Sequence, residues 1–130
     1  LSMATSKEDM LGAVFEGVVF SHALHLERLL AQREPPAAVR MCGGAANSEV
    51  WVQMFADVIG LPVETIAARE PGALGCAMAA AIAAGCYGSY AEAVQHMTHV
   101  KKVCVPDPAK YEAYQKKFGA FKEQIERLAK

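Results

Sequence analysis

The sequence predicts an α/β fold in which amphipathic helices alternate with short buried strands. Apolar residues recur at helical spacing in several long segments, and two short runs rich in β-branched residues lie between them. Paired glycines follow the first of these runs, and a capping residue then opens a helix, as in a strand-to-helix turn. With 53% hydrophobic and 21% charged residues among 130, the chain can bury a core as one domain or part of a larger one.

The first predicted helix runs from about residue 6 to residue 32. Ser6 suits its N-cap, because a serine oxygen accepts a hydrogen bond from a first-turn N–H group. Pro35 and Pro36 prevent the helix from continuing. Residues 38–42 (AVRMC) follow as a short buried strand.

The second predicted helix is capped by Asn47 or Ser48 and ends at Gly60, a residue that readily adopts the left-handed conformation of a C-cap. Residues 62–66 (PVETI) then form a second strand. Because proline cannot donate to a sheet, this strand is expected near an edge.

A helix of small residues is predicted to begin at Pro71 and to stop at Gly85 or Gly88. It lacks charges but consists mostly of alanine and glycine, which favours a helix buried in a core over one that crosses a membrane. A shorter helix capped by Ser89 follows. Residues 103–105 are predicted to be extended, and Asp107 opens a last helix with an aromatic stripe.

The predicted order is therefore helix–strand–helix–strand–helix, plus a helical tail. Two strands cannot cover the apolar surface of three packed helices, and an isolated pair of strands is marginally stable. The sequence is therefore interpreted as a fragment whose missing strands lie upstream.

Charge and cysteine usage restrict the classes of partner. The formal net charge of −1 gives no electrostatic reason to expect nucleic acid or a membrane surface as a partner. Four widely spaced cysteines without a C-x-x-C pair are predicted to be reduced core thiols of a cytoplasmic protein. Lys7, Glu8 and Asp9 interrupt any apolar run that could form a signal peptide.

The paired glycines at positions 43 and 44 are the most informative feature of the chain. Glycine lacks the Cβ atom that would keep a ligand away from the backbone. The helix that follows also offers unpaired N–H groups and the positive end of its dipole. The turn is therefore a candidate ligand site.

Three segments, in order and at the expected spacing, resemble the C-terminal end of the FGGY family of carbohydrate kinases. They are residues 11–20 (LGAVFEGVVF), 43–57 (GGAANSEVWVQMFAD) and 60–77 (GLPVETIAAREPGALGCA). Residues 106–130 also fit the family's terminal helix, and residues 114–117 (YQKK) favour the L-xylulose kinase branch.

The resemblance implies an incomplete half of a ribonuclease H-like, actin-like ATPase domain. Residues 1–130 would form the C-terminal portion of the second, nucleotide-side domain of a two-domain kinase, with 106–130 as a terminal helix docking on it. The implied reaction is phosphoryl transfer from ATP, with Mg²⁺, to a sugar or polyol hydroxyl.

The resemblance also implies an adenine-binding role for the glycine turn. The backbone of Gly43 and Gly44 would lie against the purine, beside the small side chain of Ala45. A side chain at Asn47 or Ser48 would hydrogen-bond an adenine edge. Asn47 stands where the family often has a lysine or arginine.

No catalytic residue and no metal ligand is expected within this chain. The catalytic aspartate, the phosphate loops and the sugar pocket of the family lie upstream, so the chain alone is predicted to be inactive. Asp57 and Asp107 are interpreted as structural, Glu16 as bonded to neighbouring backbone, and Glu70 as a helix cap.

Other side chains with functional potential have simpler interpretations. Two histidine pairs, His22 with His25 and His96 with His99, lack a third ligand at suitable spacing and are not predicted to bind metal. Trp51 is expected to pack in the core rather than to stack on a base.

Two other classes of function remain open at this point. One is a non-catalytic actin-like module for packing or dimerisation, and homodimer formation by a kinase is also left open. The other is a dinucleotide-binding half-domain, which the absence of a G-x-G-x-x-G motif disfavours.

Overall fold

The computed structural model describes residues 4–129, which form five helices and three strands. In chain order they are α1 (Lys7–Leu30), β1 (Val39–Met41), a short 3₁₀ turn (Gly44–Asn47), α2 (Glu49–Ile59), β2 (Val63–Ile66), α3 (Pro71–Ala83), α4 (Tyr90–Met97), β3 (Val100–Cys104) and α5 (Pro108–Leu128). The predicted α/β class is confirmed.

The strands form one mixed sheet in the order β1–β2–β3. β1 runs parallel to β2, with Val39 opposite Val63, whereas β3 runs antiparallel to β2, with Cys104 opposite Val63. The expectation that the second strand lies near an edge is wrong, because β2 is the central strand. Pro62 precedes β2, and its carbonyl accepts a 2.8 Å hydrogen bond from the Val39 N–H group.

The third strand is longer than the sequence predicted and begins three residues earlier. Residues 100–103 of β3 are exposed and only Cys104 is buried, so a hydrophobic pattern barely marks the strand. Its hydrogen bonds to β2 define it instead.

The core lies where α1, α2 and α5 pack together and α2 covers the sheet. Phe20 of α1 stacks on Phe118 of α5, with ring centroids 5.7 Å apart. The buried apolar side chains of this cluster are Val19, Phe20, Ala23, Val52, Phe55, Ala56, Val58, Val63, Cys104 and Phe118.

The predicted helix caps are confirmed at four starts and one end. Ser6, Ser48 and Ser89 each accept a backbone N–H hydrogen bond at the start of a helix, and Asp107 does the same for α5. Gly60 ends α2 in the left-handed region at φ 74°. α1 ends at Leu30, five residues before the first proline.

The small-residue helix α3 is not buried in this structure, contrary to expectation. It packs mainly on α4, and Met78 is its one fully buried residue. Cys76 and Cys86 in this region are exposed, as is Cys42, so the prediction of core thiols holds only for Cys104. All four cysteines are free.

No helix within residues 4–129 combines the length and the apolar character needed to span a lipid bilayer.

Candidate functional site

A cleft of about 400 Å³ opens at the carboxyl ends of the parallel strands β1 and β2. This is the edge at which open α/β sheets place their ligands. One wall consists of Met41, Cys42, Gly43, Ala46 and Asn47; the other consists of Thr65, Ile66, Ala67, Ala68, Arg69, Pro71 and Lys101. We call it the glycine-turn cleft.

The glycine turn presents bare backbone. Gly43 has φ 88° and ψ −168°, a conformation that side chains rarely tolerate. The turn is closed by hydrogen bonds from Ala46 N–H to the Gly43 carbonyl (3.1 Å) and from Ser48 N–H to the Ala45 carbonyl (3.2 Å). A Cβ atom added at Gly43 or Gly44 would meet no heavy atom within 4 Å, so the backbone there is open.

The residues singled out from the sequence are distributed over three environments. Gly43 and Asn47 line the glycine-turn cleft, and Gly44 lies between them in the chain. Ala45 instead lines an apolar groove beside α1 and β1. The hydroxyl oxygen of Ser48 accepts a hydrogen bond from Trp51 N–H at 3.3 Å and caps α2. Of the two side chains considered for base recognition, Asn47 is the one that faces the cleft.

The opposite wall carries three polar side chains that sequence reasoning missed: Thr65, Arg69 and Lys101. Thr65 ends the second parallel strand, which is the signal that could have identified it, since parallel strands end at the same edge of a sheet. Lys101 arrives from β3, whose pairing with β2 was not predicted.

The lining of this cleft carries two cations and no carboxylate, although Lys101, after Lys102, helps to lower the pKa of nearby Glu49. None of its lining residues is an aspartate or glutamate, and Arg69 and Lys101 have no ion-pair partner among the residues described. Neighbouring Lys102 differs, because its Nζ lies 2.9 Å from Glu49 Oε2. That hydrogen bond raises the pKa of Lys102 and lowers the pKa of Glu49.

The two aspartates interpreted as structural do have structural roles. Asp57 is 2% exposed, and its Oδ1 accepts hydrogen bonds from Gln53 Nε2 (2.8 Å) and from the Asp107 N–H group (2.9 Å). Asp107 in turn accepts from the N–H group of Ala109 at 2.9 Å. Asp57 therefore ties α2 to the start of α5.

The structure corrects the interpretation of two glutamates. Glu16 bonds to Lys117 of α5, at 2.6 Å from Nζ to Oε1, rather than to neighbouring backbone. Glu70 stands at the N-cap of α3, but its side chain makes no capping hydrogen bond; only its carbonyl accepts from Leu74 N–H. An exposed carboxylate can remain solvated, so capping is not required of it.

Trp51 packs as expected. Its ring meets Phe15 edge-on at 5.0 Å between centroids, and its Nε1 is buried without a hydrogen-bond partner in the described chain.

Three of the four histidine side chains contact groups on or next to their own helices. His22 and His25 each place Nδ1 within 2.9 Å of the backbone carbonyl four residues earlier, and His96 stacks on Tyr87. Within residues 4–129, no group of three or more His, Cys, Asp or Glu side chains is arranged to hold a metal ion.

Comparison with known proteins assigns the chain to a family. The model of the C-terminal domain of the FGGY family of carbohydrate kinases matches residues 1–84, more than half of the sequence. The chain belongs to the FGGY family of carbohydrate kinases.

Individual relatives agree with this assignment. The chain is 37% identical over 123 residues to the L-xylulose/3-keto-L-gulonate kinase of Escherichia coli strain K12, a match that covers 95% of this chain and 25% of that protein. It is 33% identical over 111 residues to the autoinducer-2 kinase of the same strain, covering 85% of this chain and 21% of that protein.

Among solved structures, a ligand-bound xylulose kinase from Lactobacillus acidophilus superimposes with a TM-score of 0.90 at 28% identity. That match covers 99% of this chain and 26% of the kinase. The expected fold class, an incomplete half of an actin-like ATPase domain, is thus confirmed. The chain spans about a quarter of the length of the proteins it matches.

Proposed function

We propose that this chain forms the C-terminal portion of the nucleotide-side domain of an ATP-dependent carbohydrate kinase, with residues 106–130 as the helix that closes it. In this proposal the glycine turn is the adenine-side wall of the ATP site. The observation that carries the proposal is the bare backbone of Gly43, which lines the cleft, together with the open backbone of Gly44 next to it.

Three properties of the cleft support a nucleotide as its ligand. A volume of about 400 Å³ is within the range of small-molecule sites. Exposed peptide planes without side chains give a flat purine a surface to lie on. The Asn47 amide, which has no side-chain partner within residues 4–129, offers both a donor and an acceptor for an adenine edge.

The rest of the kinase machinery is proposed to come from outside this chain. Phosphoryl transfer needs a carboxylate to orient the acceptor hydroxyl and groups that hold the phosphates and Mg²⁺. No carboxylate lines the glycine-turn cleft, so its residues do not fit a magnesium site. We therefore expect the chain alone to be inactive. We also propose that the complete enzyme acts in the cytoplasm.

The acceptor is proposed to be a sugar or a polyol. The names of the two relatives differ in substrate, so family membership does not select one acceptor. A panel of pentuloses, hexuloses and polyols offered to the complete enzyme identifies it. If none of these compounds supports ATP consumption, the kinase proposal is contradicted.

The alternative function is a non-catalytic module for packing or dimerisation. The observation that favours it is an uncovered apolar stripe on α1, where Met10, Leu11 and Val14 are 54%, 60% and 65% exposed. This alternative predicts that nucleotide does not bind in the glycine-turn cleft at all.

Replacing Gly44 with valine in the complete enzyme tests the adenine assignment. The new side chain enters open space, so the fold tolerates it, but it occupies the position proposed for the purine. We expect the KM for ATP to rise by about tenfold or more, as for the loss of roughly 1.4 kcal/mol of binding, while the KM for the sugar changes little. Steady-state kinetics with each substrate varied in turn provide the measurement.

Gly119→Val is the matched control, since an added Cβ at this α5 position also meets nothing within 4 Å. It should leave both KM values unchanged. Gly43 is less suitable for the test, because its φ of 88° makes any side chain strained. An unaltered KM for ATP in the Gly44→Val enzyme would remove the adenine assignment.

A further inference from the structure

The apolar groove beside α1 and β1 has no role in the function proposed so far. It has a volume of about 570 Å³ and lies between α1, β1 and α2. Its lining is mainly apolar and includes Leu26, Leu29, Val39, Met41, Trp51 and Phe55. The exposed stripe of α1 runs into it, because Leu11, Val14 and Val18 share one helix face and Val18 lines the groove. An apolar surface of this kind marks an interaction site. We call it the α1–β1 groove.

The strand that borders this groove has an open edge. β1 pairs with β2 alone among the described residues. The Val39 N–H group donates to the Pro62 carbonyl at 2.8 Å and so faces β2. Because successive backbone groups of a strand face alternate sides, the N–H and C=O groups of Arg40 face the open edge. The Arg40 side chain is bound to Glu64 at 2.9 Å, so no free charge guards this edge, which is a template for another strand.

The other edge of the sheet, on β3, has a different character. Residues 100–103 are exposed and include two lysines, a residue type that keeps edge strands from pairing. Because the Pro62 carbonyl faces β1, the backbone groups of Val63 face β3, where Cys104 is the partner. The N–H group of the neighbouring residue, Val103, therefore faces away from the sheet. Of the two edges, that of β1 is the one suited to a further strand.

The position of α1 independently indicates the same edge. α1 and α2 pack on each other and line the groove together with Val39 and Val63, so both helices lie on one face of the sheet. α2 connects the parallel strands β1 and β2, and such crossovers are right-handed in about 98% of cases. For α1, on the same face, to complete a right-handed crossover into β1, a parallel strand before it must lie on the side of β1 away from β2.

We propose that an extended segment preceding α1 in the complete kinase pairs with the open edge of β1 and covers the α1–β1 groove. This inference rests on the proposed function in one respect, namely that the chain is the C-terminal portion of a longer domain. The matches leave room for such a segment, since they cover only 25% of the L-xylulose/3-keto-L-gulonate kinase and 26% of the xylulose kinase structure.

The chemistry of the groove and the edge defines this segment. The N–H group of Arg40 donates to its backbone and the carbonyl of Arg40 accepts from it, so both main-chain groups are paired. Since side chains of a strand alternate between two faces, every second residue of the segment points towards the helices. Those residues are apolar, because the groove that they enter is lined by side chains such as Leu29 and Met41.

Hydrogen exchange of the unaltered complete enzyme, followed at single amides by mass spectrometry, tests the proposal without any substitution. The Arg40 amide should exchange at least about a hundredfold more slowly than in an unstructured peptide, since a paired amide exchanges only when the pairing opens. The Val103 amide is the matched control and should exchange at least about tenfold faster than that of Arg40. Exchange of Arg40 at the peptide rate, or equal rates at the two amides, would overturn the assignment of this edge.

Two leucines provide a second test, of the groove. Leu29 and Leu128 each lie in the last turn of a helix and are 69% and 83% exposed, but only Leu29 lines the groove. In the complete enzyme, Leu29→Asp should lower the melting temperature by about 5 °C or more, because the carboxylate is then covered by apolar side chains. Leu128→Asp should change it by less than about 1 °C. Equal effects of the two substitutions would show that nothing covers the groove.

The outcomes distinguish this inference from the function on which it rests and from a second copy of the chain as the occupant. Protection of Arg40 that disappears on dilution, together with dissociation of a dimer, would assign the edge to a second copy and overturn the proposal. The exchange experiment contains no nucleotide. An unprotected Arg40 amide therefore leaves the adenine assignment standing, and a complete enzyme that phosphorylates no acceptor but protects Arg40 loses the proposed activity and keeps this inference.

Discussion

Asp57 illustrates how a carboxylate inside a family motif can serve the fold alone. Its side chain is buried where α2 meets the start of α5, and the Gln53 amide and the Asp107 N–H group both donate to one of its oxygens. Lys110 Nζ lies 3.8 Å from the other oxygen. Every polar group that approaches this carboxylate belongs to a helix start or to α2, which leaves it no geometry for chemistry on a ligand.

Asp57→Ala is therefore expected to destabilise the chain without a specific effect on a nucleotide. The substitution removes the charged acceptor of one side-chain donor and one backbone donor, and a hydrogen bond to a charged group contributes about 1.5–3 kcal/mol. We expect the free energy of unfolding in urea to fall by about 3 kcal/mol. Asp57→Asn keeps an acceptor oxygen and should cost less, and equal stability of the two variants would contradict this account.

At the scale of single residues, the sequence identified one wall of the candidate site and not the other. Gly43 and Asn47 lie within one five-residue segment of the chain, so their pattern could be recognised locally. Thr65 and Lys101 reach the same cleft from β2 and β3, and only the strand pairing brings them there. A cleft between loops is defined by topology, which one sequence encodes only indirectly.

At the scale of elements, local signals predicted the helices well and the sheet less well. Caps and proline positions mark helix ends in the sequence itself, and serine caps begin α1, α2 and α4. The sheet was harder because β3 has four exposed residues and its identity depends on pairing with β2. The burial of α3 was mispredicted for a related reason: its composition is that of a buried helix, but within residues 4–129 it packs mainly on α4.

Two helix C-termini provide a matched test of how α2 meets α5. Gly60 and Gly85 have nearly the same left-handed φ, 74° and 77°. A Cβ atom at Gly85 meets nothing, whereas one at Gly60 lies 2.5 Å from Cε2 of Tyr111. Gly85→Ala should cost about 1 kcal/mol of conformational strain. Gly60→Ala should cost roughly 1 kcal/mol more, because the Tyr111 ring must leave its place.

Urea unfolding of both alanine variants measures this difference, and a Tyr111→Ala background identifies its origin. In that background the excess cost of Gly60→Ala should disappear, since the clashing ring is gone. Equal costs at the two glycines with Tyr111 present would show that the ring moves freely and that α5 is not packed tightly there.

At the scale of the whole molecule, the family match and the hydrophobic core have different extents. The family model ends at residue 84, yet the core includes Cys104 and Phe118. α5 also forms ion pairs with α1, from Lys117 to Glu16 and from Lys122 to Glu27. Exposed ion pairs contribute little, so the packing of Phe118 should provide most of the energy with which α5 holds the domain together.

Substitutions along α5 test whether this helix is part of the folding unit. Phe118 is 6% exposed and stacks on Phe20, while Leu128 on the same helix is 83% exposed. Phe118→Ala should lower the free energy of unfolding by about 3–5 kcal/mol, and Phe118→Leu, which removes less volume, by about 1.5 kcal/mol. Leu128→Ala should stay within about 0.5 kcal/mol of the unaltered chain, as surface substitutions do.

Urea unfolding followed by tryptophan fluorescence reports on the core directly, because Trp51 lies against Phe55. If Phe118→Ala leaves that transition unchanged, α2 and the sheet fold without α5, and α5 is not part of the folding unit.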